Sequence, residues 1–95
     1  MAEPERAVAL RIEGRVQGVW YRGWTVAEAG RRGLRGWVRN RADGAVEALL
    51  IGPAARVAEM IEACRRGPPA ARVAAVAERP AADDGSPDFR QRPTE

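Results

Sequence analysis

Residues 7–13 alternate along the chain, with Val8, Leu10 and Ile12 on one face and Ala9, Arg11 and Glu13 on the other. A period of two predicts a half-buried strand, preceded by a loose polar, flexible segment at residues 1–6. Residues 22–32 predict a helix carrying Trp24, Val26, Ala27 and Ala29. Gly30 weakens it by roughly 1 kcal/mol relative to alanine, and Gly33 follows where a helix C-cap needs a left-handed backbone. Residues 34–40 predict a second strand, with Leu34, Gly36 and Val38 on one face, Trp37 on the other and Asn40 at its end. Asp43-Gly44 is a hairpin signal, so residues 45–51 predict a third strand, antiparallel to the second and broken at Gly52-Pro53. Between Pro53 and Gly67, the residues Val57, Met60, Ile61 and Cys64 fall at i, i+3, i+4 and i+7, the clearest apolar stripe in the chain. Arg65 and Arg66 suit the end of that helix dipole, and Gly67-Pro68-Pro69 stops it. Residues 71–78 predict a fourth strand, in which Val73 and Val76 break the alternation as a bulge or an edge position would. Residues 80–88 form a breaker-rich surface loop, and residues 89–92 a short last strand that Pro93 confines to an edge.

The order is β-α-β, a hairpin, then β-α-β. Right-handed crossovers put both helices on the same face of one sheet. The expected fold is therefore an α+β, ferredoxin-like βαββαβ sandwich: an antiparallel sheet, two helices on one face and a short extra C-terminal strand, within one domain at residues 7–94. Val8, Leu10 and Ile12 are expected to meet Met60 and Ile61 in the core.

Composition narrows the chemistry. The chain has 95 residues and no histidine, which excludes a histidine general base, a Ser-His-Asp triad and a phosphohistidine. A single cysteine and no cysteine–histidine cluster leave no ligand set for zinc, and Cys64 completes a helix stripe as a core residue. The net charge of +3 invites a nucleic-acid reading. Every basic residue is arginine, however, in an alanine-rich chain whose acids are interspersed among them, and that pattern is a compositional bias more than a binding face. There is no bilayer-length apolar run and no signal-peptide pattern. The expectation is a cytoplasmic monomer that engages neither membrane nor nucleic acid.

One stretch between the first strand and the first helix offers chemistry: Gly14-Arg15-Val16-Gln17-Gly18-Val19-Trp20-Tyr21-Arg22. Gly14 and Gly18 permit positive φ and let consecutive N–H groups converge into a nest that attracts an anion at a helix N-terminus. Arg22 adds a planar fork matching phosphate oxygens. Without Gly-Lys-Ser/Thr, the stretch does not imply nucleoside triphosphate binding. Local physics leaves an ordinary strand-to-helix turn as the alternative. Asn40 can donate and accept, and so hold a water beside a phosphate; the alternative is a turn asparagine before Asp43-Gly44.

This stretch resembles the signature of the acylphosphatase family. Gly33-Leu34-Arg35-Gly36-Trp37-Val38-Arg39-Asn40, with Asp43-Gly44-Ala45-Val46-Glu47 behind it, resembles the family's second motif. Gly52-Pro53 and Gly67-Pro68 are similar to its helix boundaries, and Phe89, Arg92 and Thr94 to its terminal strand. The resemblance implies a metal-free, cofactor-free hydrolase acting on small acyl phosphates and releasing inorganic phosphate. It implies that the main-chain N–H groups of Gln17, Gly18, Val19, Trp20, Tyr21 and Arg22, with the Arg22 guanidinium, hold the phosphoryl group. It further implies that Asn40 orients the attacking water and that Gly14 and Thr25 support the site. Two positions depart from the pattern: Arg32, where the family often has leucine, and Arg41, where some members have threonine. A ferredoxin-like binding module is the chief alternative, although an RNA-reading face would need exposed aromatics on its central strands. A carbamoyl-phosphate-handling domain of hydrogenase maturation is a second, usually set in a much longer chain with zinc-finger cysteines.

Overall fold

A computed structural model describes residues 4–95. Its elements are β1 (Glu5–Arg15), α1 (Tyr21–Arg31), β2 (Arg35–Asn40), β3 (Val46–Pro53), α2 (Ala54–Arg66), β4 (Arg72–Pro80) and β5 (Phe89–Gln91). They build one five-stranded sheet in the order β4-β1-β3-β2-β5. β1 pairs antiparallel with β3 and β4, and β2 antiparallel with β3.

The core lies between the sheet and both helices. Val8, Leu10 and Ile12 are buried, as the alternation predicts, in one cluster with Met60, Ile61, Val57 and Cys64 of α2. α1 contributes less, burying Tyr21, Thr25 and Ala29.

Three expectations are corrected. The loose start at residues 1–6 does not extend to Glu5 and Arg6, which belong to β1 because Pro53 and Gly52 of β3 lie opposite them; residues 1–3 lie outside the described residues. By the same pairing Gly52-Pro53 does not break β3: the strand runs through Pro53, whose extended backbone (φ −55, ψ 134) is also the N-cap of α2. Nor is the sheet purely antiparallel, because β5 pairs parallel to β2. β4 ends where β2 begins, so a linker crossing that end of the sheet delivers β5 to the outer edge of β2 already pointing the same way.

The irregularity of β4 has both of the expected causes. β4 is an edge strand, and its register with β1 shifts between Glu13 and Gly14, which face Ala75 and Val73 and leave Ala74 unpaired. Gly14 adopts φ 126 there, and a Cβ on it would collide with the Arg72 carbonyl. The bulge thus requires glycine at the point where β1 hands over to the loop.

Candidate active site at the β1–α1 loop

Residues 16–20 connect the end of β1 to the start of α1, and sheet and helix together shape them. Val16 is buried and anchors the loop to the core. The Gln17 side chain turns away from the loop, its Nε2 donating to the carbonyls of Arg41 (2.8 Å) and Ala45 (2.9 Å), which ties the loop to the β2–β3 hairpin. Gly18 takes φ 74, and Trp20 takes the same left-handed region at φ 65, unusual for a bulky residue. That turn brings the chain into α1, whose first bond runs from the Trp24 N–H to the Trp20 carbonyl at 3.0 Å.

No carbonyl or side chain among the described residues accepts from the main-chain N–H groups of residues 17–22. They are the orphan donors of a helix start extended by a loop, and the helix dipole adds positive potential there. The guanidinium of Arg22, half-buried in the first turn of α1, makes no ion pair or hydrogen bond among the described residues either.

Asn40 closes the site from the sheet. It is the last residue of β2 and is buried, and its Oδ1 has no hydrogen-bond partner. Buried acceptors are nearly always satisfied, so an orphaned one on a residue that lines a cavity marks a candidate place for a donor. Gln17, Gly18, Trp20, Tyr21, Arg22 and Asn40 line one cavity of about 270 Å³, with Val16, Gly23 and Gln91.

Other expected site residues lie outside it. Val19 packs against the hydrophobic core. Gly14 serves the bulge at the end of β1. Thr25 is fully buried, and its Oγ1 donates to the Tyr21 carbonyl at 2.8 Å, a bond within the helix carrying the cradle. Tyr21 borders the cavity, but its hydroxyl turns inward and donates to the Cys64 carbonyl at 2.6 Å. Burial raises the Tyr21 pKa well above the ordinary tyrosine value and pushes the Cys64 thiol up to about 12. Both stay protonated and neither is a nucleophile. Gln91 was missed by sequence reasoning: it reaches the cavity only because β5 crosses to lie beside β2, opposite Val38, and nothing local in the sequence signals that.

The open sheet face gives little to an RNA reading. Guanidinium groups of Arg39 and Arg92 sit 4.6 and 4.9 Å from the Trp37 ring centre, and its Nε1 donates to Asp84 at 3.2 Å. A larger groove of about 450 Å³ between Trp37 and the loop at 84–88 has its carboxylates engaged internally, Asp84 by Ser86 and Asp88 by Arg90. Among the described residues no three His, Cys, Asp or Glu side chains are grouped as metal ligands, and no helix is long and apolar enough to cross a membrane.

A family model described as acylphosphatase matches residues 8–91. An acylphosphatase of Rhodospirillum rubrum is 56% identical over 94% of this chain and 98% of its own. The solved structure of an acylphosphatase from Coxiella burnetii superposes with a TM-score of 0.89 at 32% identity, covering 93% of both chains. Full-length HypF in its phosphate- and nucleotide-bound form shares the fold alone, at a TM-score of 0.89 and 22% identity over 13% of its length. A match that runs from β1 to β5, carried by relatives of the same length, means that the chain belongs to the acylphosphatase family.

Proposed function

We propose that the cavity at the β1–α1 loop is where this chain hydrolyses the carboxyl–phosphate bond of small acyl phosphates, releasing a carboxylate and inorganic phosphate. The phosphoryl group lies on the main-chain N–H groups of residues 17–22 and against the Arg22 guanidinium, and Asn40 holds the attacking water. One observation carries the reading: residues of the loop and Arg22, whose donors are unpartnered, line the same cavity as Asn40, whose buried Oδ1 is unpartnered too. The donors match an anion, and the acceptor matches a water O–H.

These parts suffice without a histidine or a protein nucleophile. A carboxylate is a good leaving group and needs no protonation. Phosphoryl transfer is loose, with charge spread over the equatorial oxygens, so positioning and preformed electrostatics do most of the work. The water oxygen forms a bond to phosphorus as the phosphorus–acyl oxygen bond breaks. The electron pair leaves with the carboxylate, and a phosphate oxygen takes the water's proton. We infer a monomer as the working form and the cytoplasm as its compartment.

The test is benzoyl phosphate hydrolysis by wild type, Arg22→Gln and Asn40→Ala. Arg22→Gln should lose at least about a hundredfold in kcat and weaken competitive inhibition by inorganic phosphate. Asn40→Ala should lose turnover while phosphate inhibition is largely kept, and EDTA should leave the wild type active. Near-normal hydrolysis by either variant removes that residue from the mechanism, and activity lost to EDTA would require a metal.

A further inference from the structure

We propose that Trp20 is the platform on which the acyl group of the substrate rests, so that the enzyme prefers aromatic and bulky apolar acyl phosphates to small ones. The inference rests on the phosphate site proposed above and assigns its specificity.

Trp20 is the exposed large hydrophobic residue of the described chain, with 68% of its surface open. A single exposed apolar side chain needs no explanation by itself. This one, however, is held in place at a cost. Its backbone is left-handed at φ 65, a conformation suited to glycine or asparagine and unfavourable for a bulky L-residue. Its indole lies so close over Gly23 that a Cβ there would collide with the ring. Two departures from ordinary local preference thus converge on presenting one indole at the mouth of the cavity, and solvent exposure repays neither.

The remaining walls offer the acyl group little. Val16 is buried, the Gln17 amide is turned to the hairpin, the Tyr21 hydroxyl points into the core, and Arg22, Asn40 and Gln91 are polar. Trp24 does not contribute a second platform, because it packs on the core, edge-on to Tyr21 with ring centres 5.4 Å apart. With the phosphoryl group in the cradle, the acyl carbon is one oxygen away, and the exposed apolar surface beside it is the Trp20 indole.

The experiment compares kcat/KM for benzoyl phosphate with that for acetyl phosphate in wild type, Trp20→Gly, Trp20→Phe and Gly23→Ala. Glycine suits the left-handed position, so Trp20→Gly should fold. Its benzoyl-to-acetyl ratio should fall about three- to tenfold, the range of an aromatic pair. Trp20→Phe should keep most of the ratio, and Gly23→Ala, which pushes the indole aside, should lose it as Trp20→Gly does. Binding gives a second readout: wild type should hold benzoylphosphonate more tightly than acetylphosphonate, and Trp20→Gly should bring the two together. An unchanged ratio in Trp20→Gly, or equal affinity of wild type for the two phosphonates, overturns the platform. Failure of the underlying site reads differently: Arg22→Gln would then bind both phosphonates as wild type does.

Discussion

The Tyr21 hydroxyl completes the end of a helix to which it does not belong. The last carbonyls of α2 lack intrahelical donors. Gly67 N–H serves the Ala63 carbonyl at 2.9 Å, and Tyr21 serves that of Cys64 at 2.6 Å. Because the bond is buried, Tyr21→Phe leaves that carbonyl unsatisfied and should cost about 1–2 kcal/mol, read as a lower urea midpoint with an unchanged m-value; an unchanged midpoint would mean that water replaces the hydroxyl. The residue therefore has two places within the motif, its unpartnered N–H in the loop proposed to hold phosphate and its side chain joining the two helices. The motif made the first legible. The second needed Tyr21 and Cys64 brought together from distant parts of the chain, which no local pattern encodes.

At the scale of elements, α1 is the weaker helix, and its weakness lies partly on its solvent side. Gly30 is exposed and has no positive φ, and a methyl group added there would meet nothing within 4 Å. Gly30→Ala should therefore raise stability by about 0.5–1 kcal/mol, and a lower melting temperature would contradict this. Arg32, a departure from the family pattern, fits its place by bridging the helices: it bonds Glu28 at 2.9 Å and approaches Glu59 at 3.5 Å. Similar pairs join Asp43 to Arg11 and Asp83 to Arg35 across elements. These arginines hold the carboxyls of Glu28, Asp43 and Asp83 below their ordinary values. A depressed carboxyl contributes stability that is present above its unfolded pKa and is lost as pH falls through the folded one. The urea midpoint should therefore be level from about pH 7 to about pH 5 and drop below about pH 4. At the alkaline end the sign reverses: Cys64, raised by burial from 9.0 to about 12, favours the folded chain below about pH 9 and loses that contribution as pH rises towards 12. A midpoint that moves between pH 6 and pH 8 would contradict both assignments, since the chain has no histidine to titrate there.

Across the whole molecule the arginines divide by location. Most are ion-paired, including Arg6, Arg35 and Arg39. Arg15, Arg22, Arg66 and Arg72 make no ion pair among the described residues, and all four stand at the end of the fold that carries the loop. Arg15 and Arg72 even face each other across β1 and β4, a like-charge pair that costs stability; Arg79, at the far end of β4, is the exception. Unpaired cations gathered at one end attract an anionic substrate over a Debye length. Raising salt from about 0.01 M to about 0.5 M should lower kcat/KM for benzoyl phosphate severalfold with kcat little changed, and a salt-independent kcat/KM would exclude steering. The sequence alone determined the strand alternation, the α2 stripe, the hairpin and the family motifs, because periodicity, turn chemistry and a glycine-spaced motif are properties of neighbouring residues. Only the tertiary structure decided the rest: that β5 runs parallel to β2 and brings Gln91 to the cavity, that Glu5 and Arg6 join β1, that the Tyr21 ring belongs to the core while the Trp20 indole stands open, and that Asn40 ends beside the loop with its Oδ1 unpartnered. Each of these depends on which distant segments exclude water from one another, and that is settled when the sheet and helices pack.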